Sequence, residues 1–435
     1  MPGRPLLGAR QTYTGVMLNV APDQVAAPAR ERAWIFGLLI GPSAVVANGV
    51  VQGGVLGYLL SLEGVGSGMQ SHVIGLLSLP TSLYFLWSPI TDFFVSRRTW
   101  LLSSAALAAV LMLAGLEQPQ LSLRSALVLL FLSMCCGSLV GSSAGGIMGG
   151  LRSERTRRMA ASFYQAGNLG FGALSAWVLI YLSSRVSREA LGLIAAALIC
   201  TPALAALASP RQPEISHSTF RATMFRVRSE FKATFLRWDA LPYVACMTFP
   251  ISTGAAIGLL PGVASQYGVS GDHVAWVNGL LGGGLIAAGS GVVSLIRSRM
   301  RAPVLYSIVG LVNCACFTVL WLGPMRASTY FIGVPLYLFT VGSGYAMYTA
   351  VVLEFLGESG RSGSARYSII NSLGNIPVLY MLQVDGWGGD HWGAPGLAAA
   401  EVVAGAAGAL VLLALFFFRA PARTSIPSEQ PLVAE

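Results

Sequence analysis

The chain has 435 residues, 54% of them hydrophobic and 10% charged, with a mean hydropathy of +0.66. A water-soluble domain carries about a quarter charged residues, so a wholly soluble fold is excluded and most of the outer surface must face lipid. The formal charge of +9 does not point to nucleic acid, because the basic residues are spread over alternate connections and no polar domain gathers them.

Residues 1–33 form an expected cytoplasmic tail: they hold no compact apolar core followed by a small-residue cleavage site. Apolar runs of about 20 residues, long enough to cross a bilayer, are then predicted at 34–60, 73–92, 99–116, 125–149, 159–182 and 190–208. A polar interval over 210–240 separates these from a second set at 241–264, 274–296, 303–323, 329–356, 366–384 and 396–418, followed by a second cytoplasmic tail over 420–435. The expected fold is an all-α membrane protein of about twelve helices, in two six-helix bundles over 34–209 and 241–419. With the N-terminus inside, 23 of the 27 Lys and Arg fall in cytoplasmic segments, leaving Arg124, Arg185, Arg188 and Arg326 outside. That bias predicts both termini in the cytoplasm.

In the 210–240 linker, Phe220, Met224, Val227, Phe231 and Phe235 recur at helical spacing, with Arg221, Arg226, Arg228 and Lys232 on other faces. This predicts a basic amphipathic helix bridging the bundles on the lipid surface; a docking segment for a regulatory partner is the alternative. The two halves echo each other weakly. SHVIGLLSLP from Ser71 aligns with DHVAWVNGLLG from Asp272, which sets Arg98 on Arg299, and YQAGNLG from Tyr164 aligns with NSLGNIP from Asn371. Internal repeats of this kind recur in transporters, with the substrate site between them.

All six cysteines, at 135, 136, 200, 246, 314 and 316, fall within predicted spans, so they are read as packing residues; no metal, disulfide or cofactor is expected. The glycine clusters Gly137–Gly150 and Gly279–Gly284 allow close helix contact. A phosphate cradle is a poor alternative, since no Gly-Lys-Ser/Thr ending follows them.

The most informative motif is FLWSPITDFFVSRRTW, Phe85 to Trp100, where a span ends with Trp87, Pro89 and Asp92 and is followed by Arg97 and Arg98. A carboxylate at one helix end can face the positive N-terminus of another, and adjacent arginines can bridge to acids or lipid phosphates. The stretch resembles the signature loop between helices two and three of the major facilitator superfamily, in the variant of the AmpG-like muropeptide permeases and related acetyl-CoA and siderophore transporters. A second stretch, SARYSIINSLGNIP from Ser364 to Pro377, resembles the start of helix eleven in that branch. The resemblance implies the major facilitator fold, a gate in which Asp92 meets the helix start near Arg366 while Arg97 and Arg98 latch the loop, with Glu154 as a candidate acid partner, and proton coupling. In the second half Val293 takes the place of the acid, so the gate is expected to be asymmetric.

Polar groups deep in the spans tend to face a cavity or another helix. Asn48 and Gln52 lie one turn apart on the first span, Tyr164 and Asn168 on the fifth, and Asn371 and Asn375 on the eleventh; Asn278, Tyr345 and Tyr348 complete a neutral set. The set is expected to line a solute cavity, with interhelical hydrogen bonding as the alternative for each member. No charged residue is expected near the middle of a span: Asp385 is placed at an external end, Glu354 at a cytoplasmic end, and Glu401 a turn into the last span. Glu401 and Glu354 are therefore the candidate coupling carboxylates. His72 and His273 occupy matching outer positions, either as pH sensors or as ordinary loop residues.

The expected function is secondary transport of a small polar solute, muropeptide-like or siderophore-like, by a multi-pass monomer in a bacterial inner membrane. Its expected partners are that solute and the bilayer, with no nucleic acid. A membrane-embedded transferase would need clustered His, Asp, Glu or metal at one face, and four scattered histidines supply none; a non-transporting receptor is the third alternative.

Overall fold

The computed structural model describes residues 32–151, 154–209, 240–293, 295–296, 300–356, 370 and 372–417, with scattered positions over 221–238. The side chains at 88, 92, 154–155, 157–158, 356 and 417 lie outside that description.

Twelve apolar segments follow the expected order. The first, α1, runs over Ile35–Leu62. Next come α2 (Ser67–Ser82), α3 (Arg97–Leu116), α4 (Arg124–Gly149), α5 (Glu154–Leu182) and α6 (Arg188–Ala203). The second set is α7 (Leu241–Thr248, resuming at Leu260–Val263), α8 (Gly271–Val293), α9 (Ala302–Leu322), α10 (Ala327–Leu356), α11 (376–391) and α12 (394–417). Helix starts carry ordinary local signals. The Ser96 and Ser187 hydroxyls accept from the Thr99 and Ala190 amides at the starts of α3 and α6, and prolines occupy the first turns of α7 and α9.

Four segments depart from straight spans. Beyond α2, which contains Pro80, the chain bends by 42° into Tyr84–Thr91. Within α1 and α8 the turns widen to π-helix over Val45–Val51 and Ala275–Leu281. Helix α7 unwinds between Thr248 and Ala255, with Ser252 and Gly254 at φ 47° and 72°.

Eight described helices are long and apolar enough to cross a membrane, and the last of these, Ser372–Phe416, is 45 residues long. Trp392 and Gly393 break it, with Gly393 at φ 66°. An ideal helix would put Gly388 and Gly396 about 12 Å apart, yet a Cβ built on Gly388 would lie 2.5 Å from the Gly396 carbonyl oxygen. The chain reverses here, and α11 and α12 are two antiparallel spans. The described helices lie within a few residues of the predicted runs except that α2 starts at Ser67 and that the eleventh helix, expected over 366–384, is described over 376–391. The second difference corrects the placement of Asp385, which is wholly buried within the eleventh helix.

The helices pack as follows. In the first half α3 lies against α4 and α6, and α5 against α1; in the second, α9 lies against α10 and the α11–α12 hairpin, and α8 against α10. The halves meet through α1 with α7, α2 with α11, and α5 with α8. Exchanging α1 for α7, α2 for α8 and α5 for α11 maps that set of pairs onto itself, as pseudo-twofold bundles require.

Candidate functional site

The unwound stretch of α7 leaves carbonyl groups without helical partners, and in a lipid-surrounded protein such groups must find donors inside it. Three tyrosines from three helices supply them. Tyr380 on α11 donates to Thr248 O (2.8 Å), Tyr306 on α9 to Ile251 O (2.8 Å), and Tyr345 on α10 to Thr253 O (3.2 Å). Tyr306 is buried, whereas Tyr345 and Tyr380 are 40% and 36% exposed and present their rings at an open surface.

Behind these tyrosines lie two carboxyl groups. Glu401 on α12 accepts, at Oε1, from Thr253 Oγ1 on the broken α7 (3.1 Å) and from the Tyr337 hydroxyl on α10 (3.0 Å). Its Oε2 and both oxygens of Asp385 on α11 are buried and meet no donor group. Asp385 and Glu401 lie on the touching faces of the α11–α12 hairpin, where a Cβ built on Gly388 would lie 3.1 Å from the Ala400 Cβ. The expectation that no acid sits deep in a span is therefore corrected. Sixteen residues of continuous helix would hold Asp385 and Glu401 about 24 Å apart; the reversal at Trp392–Gly393 brings them into contact.

Other candidates are placed as follows. Asn48 Nδ2 donates to Asn168 Oδ1 (2.9 Å), joining α1 to α5, and Gln52 Nε2 to Ser78 Oγ on α2 (3.2 Å). Tyr164 points its hydroxyl at Gly141 O from 3.5 Å. Asn375 Nδ2 reaches Thr81 O (3.4 Å) across the bundle interface. Asn278 is buried and donates to the Tyr330 hydroxyl (2.7 Å), so it bonds α8 to α10 and is withdrawn from any open cavity. Tyr348 donates to Ile370 O (3.0 Å). Asn371 lies outside the described residues. Glu354 accepts from Tyr243 (2.8 Å), Arg301 (3.3 Å) and the Ala302 amide (2.8 Å), which makes it the cap of α9. His72 is exposed, and His273 bonds to the Ser270 hydroxyl (2.7 Å).

At the motif loop, the Trp87 indole donates to Pro80 O (3.1 Å) and closes the bend of α2, with Pro89 in the first turn of the Ser88–Asp92 segment. Arg97 lies over Gly146 of α4 and donates to its carbonyl, while Arg98 has no partner among the described residues. The Asp92 and Glu154 side chains and the residues at 357–369, Arg366 included, lie outside the described residues. In the linker, the Phe231 and Phe235 rings meet at a 39° tilt with centroids 5.1 Å apart. Phe235 is buried in a cluster with Phe85, Met247, Val352 and Ile370. The two described phenylalanines thus join elements of both bundles.

The end where α1 connects to α2, predicted to be external, is closed across the bundles. Arg185 beside α5 holds Asp272 at the start of α8 through two bonds of 2.7 and 2.8 Å, and these hydrogen bonds keep the guanidinium pKa above its ordinary value. Asp390 on α11 accepts from the Gly68 amide at the start of α2 (2.8 Å). Between α1 and α7 the backbones nearly touch, since a Cβ on Gly57 would lie 2.2 Å from Gly258 O.

No family model matches the sequence, and no curated protein is similar to it. Solved structures are. A D-xylose-proton symporter aligns at TM-score 0.61 with 14% identity over 87% of this chain and 95% of its own. A variant of the nucleoside transporter NupG aligns at TM-score 0.65 with 11% identity over 89% of this chain and 100% of its own. The fold is that of the major facilitator transporters. At such identities the likeness carries the fold alone, and any site in this chain must be argued from its own geometry.

Sequence reasoning missed Asp385, Thr253, Tyr306, Tyr337 and Tyr380. One signal was available: Tyr330 and Tyr337 lie seven residues apart, on one face of the tenth span, and hydroxyls on a buried face call for partners. The break in α7 had a weaker sign in Phe249–Gly254, a run of Pro, Ser, Thr and Gly inside an apolar segment.

Proposed function

We propose that this protein is a secondary transporter that carries a small polar solute by alternating access between its two six-helix bundles. The observation that carries the reading is the seam between them. It is built from the α1–α7, α2–α11 and α5–α8 contacts, closed at one end by backbone packing at Gly57 and Gly258 and by the Arg185–Asp272 and Asp390–Gly68 contacts. The solute site is assigned to the neutral polar groups beside the seam, Asn48, Gln52, Tyr164 and Asn168 from the first bundle and Tyr345 and Asn375 from the second, with Asn371 placed there by its spacing. Asn278 and Tyr348 serve packing. At the opposite end, Asp92 is assigned to the gate, and Arg97 anchors its loop to α4.

Solute exchange in proteoliposomes tests this. Pentoses and nucleosides are the first probes, because proteins of the same fold carry them, followed by muropeptide and siderophore analogues, because Phe85–Trp100 resembles the permeases for those solutes. Counterflow of at least one labelled solute, abolished by Asn48→Leu with Asn168→Leu in a folded protein, is the expected result. Turnover of a solute without translocation would replace the carrier by an enzyme, and binding without exchange by a receptor.

A further inference from the structure

We propose that Asp385 and Glu401 form the proton-binding site of this transporter, sharing one proton between Glu401 Oε2 and the Asp385 carboxyl, and that the broken α7 links its occupancy to the movement of the bundles. The proposal rests on the transporter reading above and adds the coupling ion and its ligands.

The hydrogen-bond inventory of the pair requires the proton. Glu401 Oε1 already accepts two hydroxyl donors, Thr253 and Tyr337, so it has no further need of a donor. The remaining oxygens, Glu401 Oε2 and Asp385 Oδ1 and Oδ2, are buried with no donor group, and the two side chains stand on helix faces that touch at Gly388 and Ala400. Two carboxylates are acceptors only; they can bond directly only through a proton held between them. Ionising both would set like charges in contact in a low-dielectric interior. The titratable groups facing the pair are Tyr337 and Tyr345 on α10, Tyr380 on α11 and Cys314 on α9. No Lys, Arg or His among the described residues hydrogen-bonds to either carboxyl.

A path for linkage is also present. Below its break, α7 packs against α1 of the other bundle through Gly258 on Gly57 and Pro261 on Gly54. At the break, Thr253 donates to Glu401. Parting of α1 from α7 would displace Thr253 and remove one of the two donors that stabilise the Glu401 carboxylate, so the tendency of the pair to keep its proton differs between the closed and open ends of the cycle. Discontinuous helices of this type are where membrane carriers bind coupling ions.

The test is an infrared titration of the full chain in lipid nanodiscs, following the C=O stretch of protonated carboxyls, with D385N, E401Q and T253V as variants. The first two preserve side-chain shape, and each removes the like-charged neighbour. A protonated-carboxyl band present at neutral pH, whose titration falls by at least one pH unit, a tenfold change in proton affinity, in either isosteric variant and rises in T253V, supports the site. Absence of the band in the unaltered protein, or a band unmoved by both D385N and E401Q, overturns it. Loss of the band on replacing choline chloride by sodium chloride at fixed pH overturns it in favour of a metal-cation site. Counterflow is read separately. A protein that exchanges solute but whose D385N/E401Q form still accumulates it under a pH gradient keeps the transporter reading and refutes the coupling role, whereas absence of exchange in the unaltered protein refutes the transporter reading itself.

Discussion

Gly57→Ala addresses the closed seam most directly. The added methyl would lie 2.2 Å from Gly258 O and 3.6 Å from the Ile74 side chain. The first contact is with backbone, which cannot rotate away, so α1 and α7 must separate by about 1 Å to restore an ordinary contact. Overpacking of this kind costs about 1–3 kcal/mol. In the proposed alternating access the contact exists only while this end is shut, so the cost falls on one state and shifts the balance between closed and open forms by about 5- to 150-fold. Pulsed electron-spin distances between labels at Leu62→Cys and Ser265→Cys, both exposed near the same end, read the change once the six native cysteines are replaced. A longer distance population should grow in Gly57→Ala. If the protein melts lower but the distance distribution is unchanged, the Gly57–Gly258 contact is static packing and the gating argument fails.

Asp390→Asn removes the charge that caps the start of α2 through the Gly68 amide; a loss of about 1 kcal/mol is expected, visible as a lower melting temperature that narrows toward the unaltered protein at high salt. Tyr330→Phe strips Asn278 of its 2.7 Å partner and should cost about 0.6–1.7 kcal/mol in a detergent-unfolding equilibrium, with solute affinity unaffected; a selective loss of affinity would return Asn278 to the cavity. Arg185→Ala should change stability little, because the pair with Asp272 is solvent-exposed, and a double-mutant cycle with Asp272→Ala measures it. Glu354→Gln should lower thermal stability through loss of the Arg301 and Ala302 contacts while leaving pH-driven accumulation intact, in contrast to Glu401→Gln.

The sequence alone determined the number and order of the spans, because hydrocarbon admits only segments whose backbone polar groups are satisfied internally, and a run of about 20 apolar residues reports that requirement without reference to any neighbour. It also marked Asn48 and Asn168 as polar groups inside spans, expected to line a cavity or to bond between helices, and the Phe231–Phe235 face as a bridge between the bundles. The tertiary structure decided which polar groups meet. Asp385 appeared to lie at a helix end because the run GWGGDHWGAP, Gly386 to Pro395, reads as a connection; in the structure the helix continues through most of it, and the turn at Trp392–Gly393 folds Asp385 onto Glu401. Asn278 looked like a cavity amide and is spent on Tyr330, while three tyrosines from three helices converge on carbonyls that a break in a fourth exposes. Hydropathy is a property of one helix in lipid, but hydrogen-bond satisfaction belongs to several helices at once, and their rotations and reversals are set by packing that no single segment encodes.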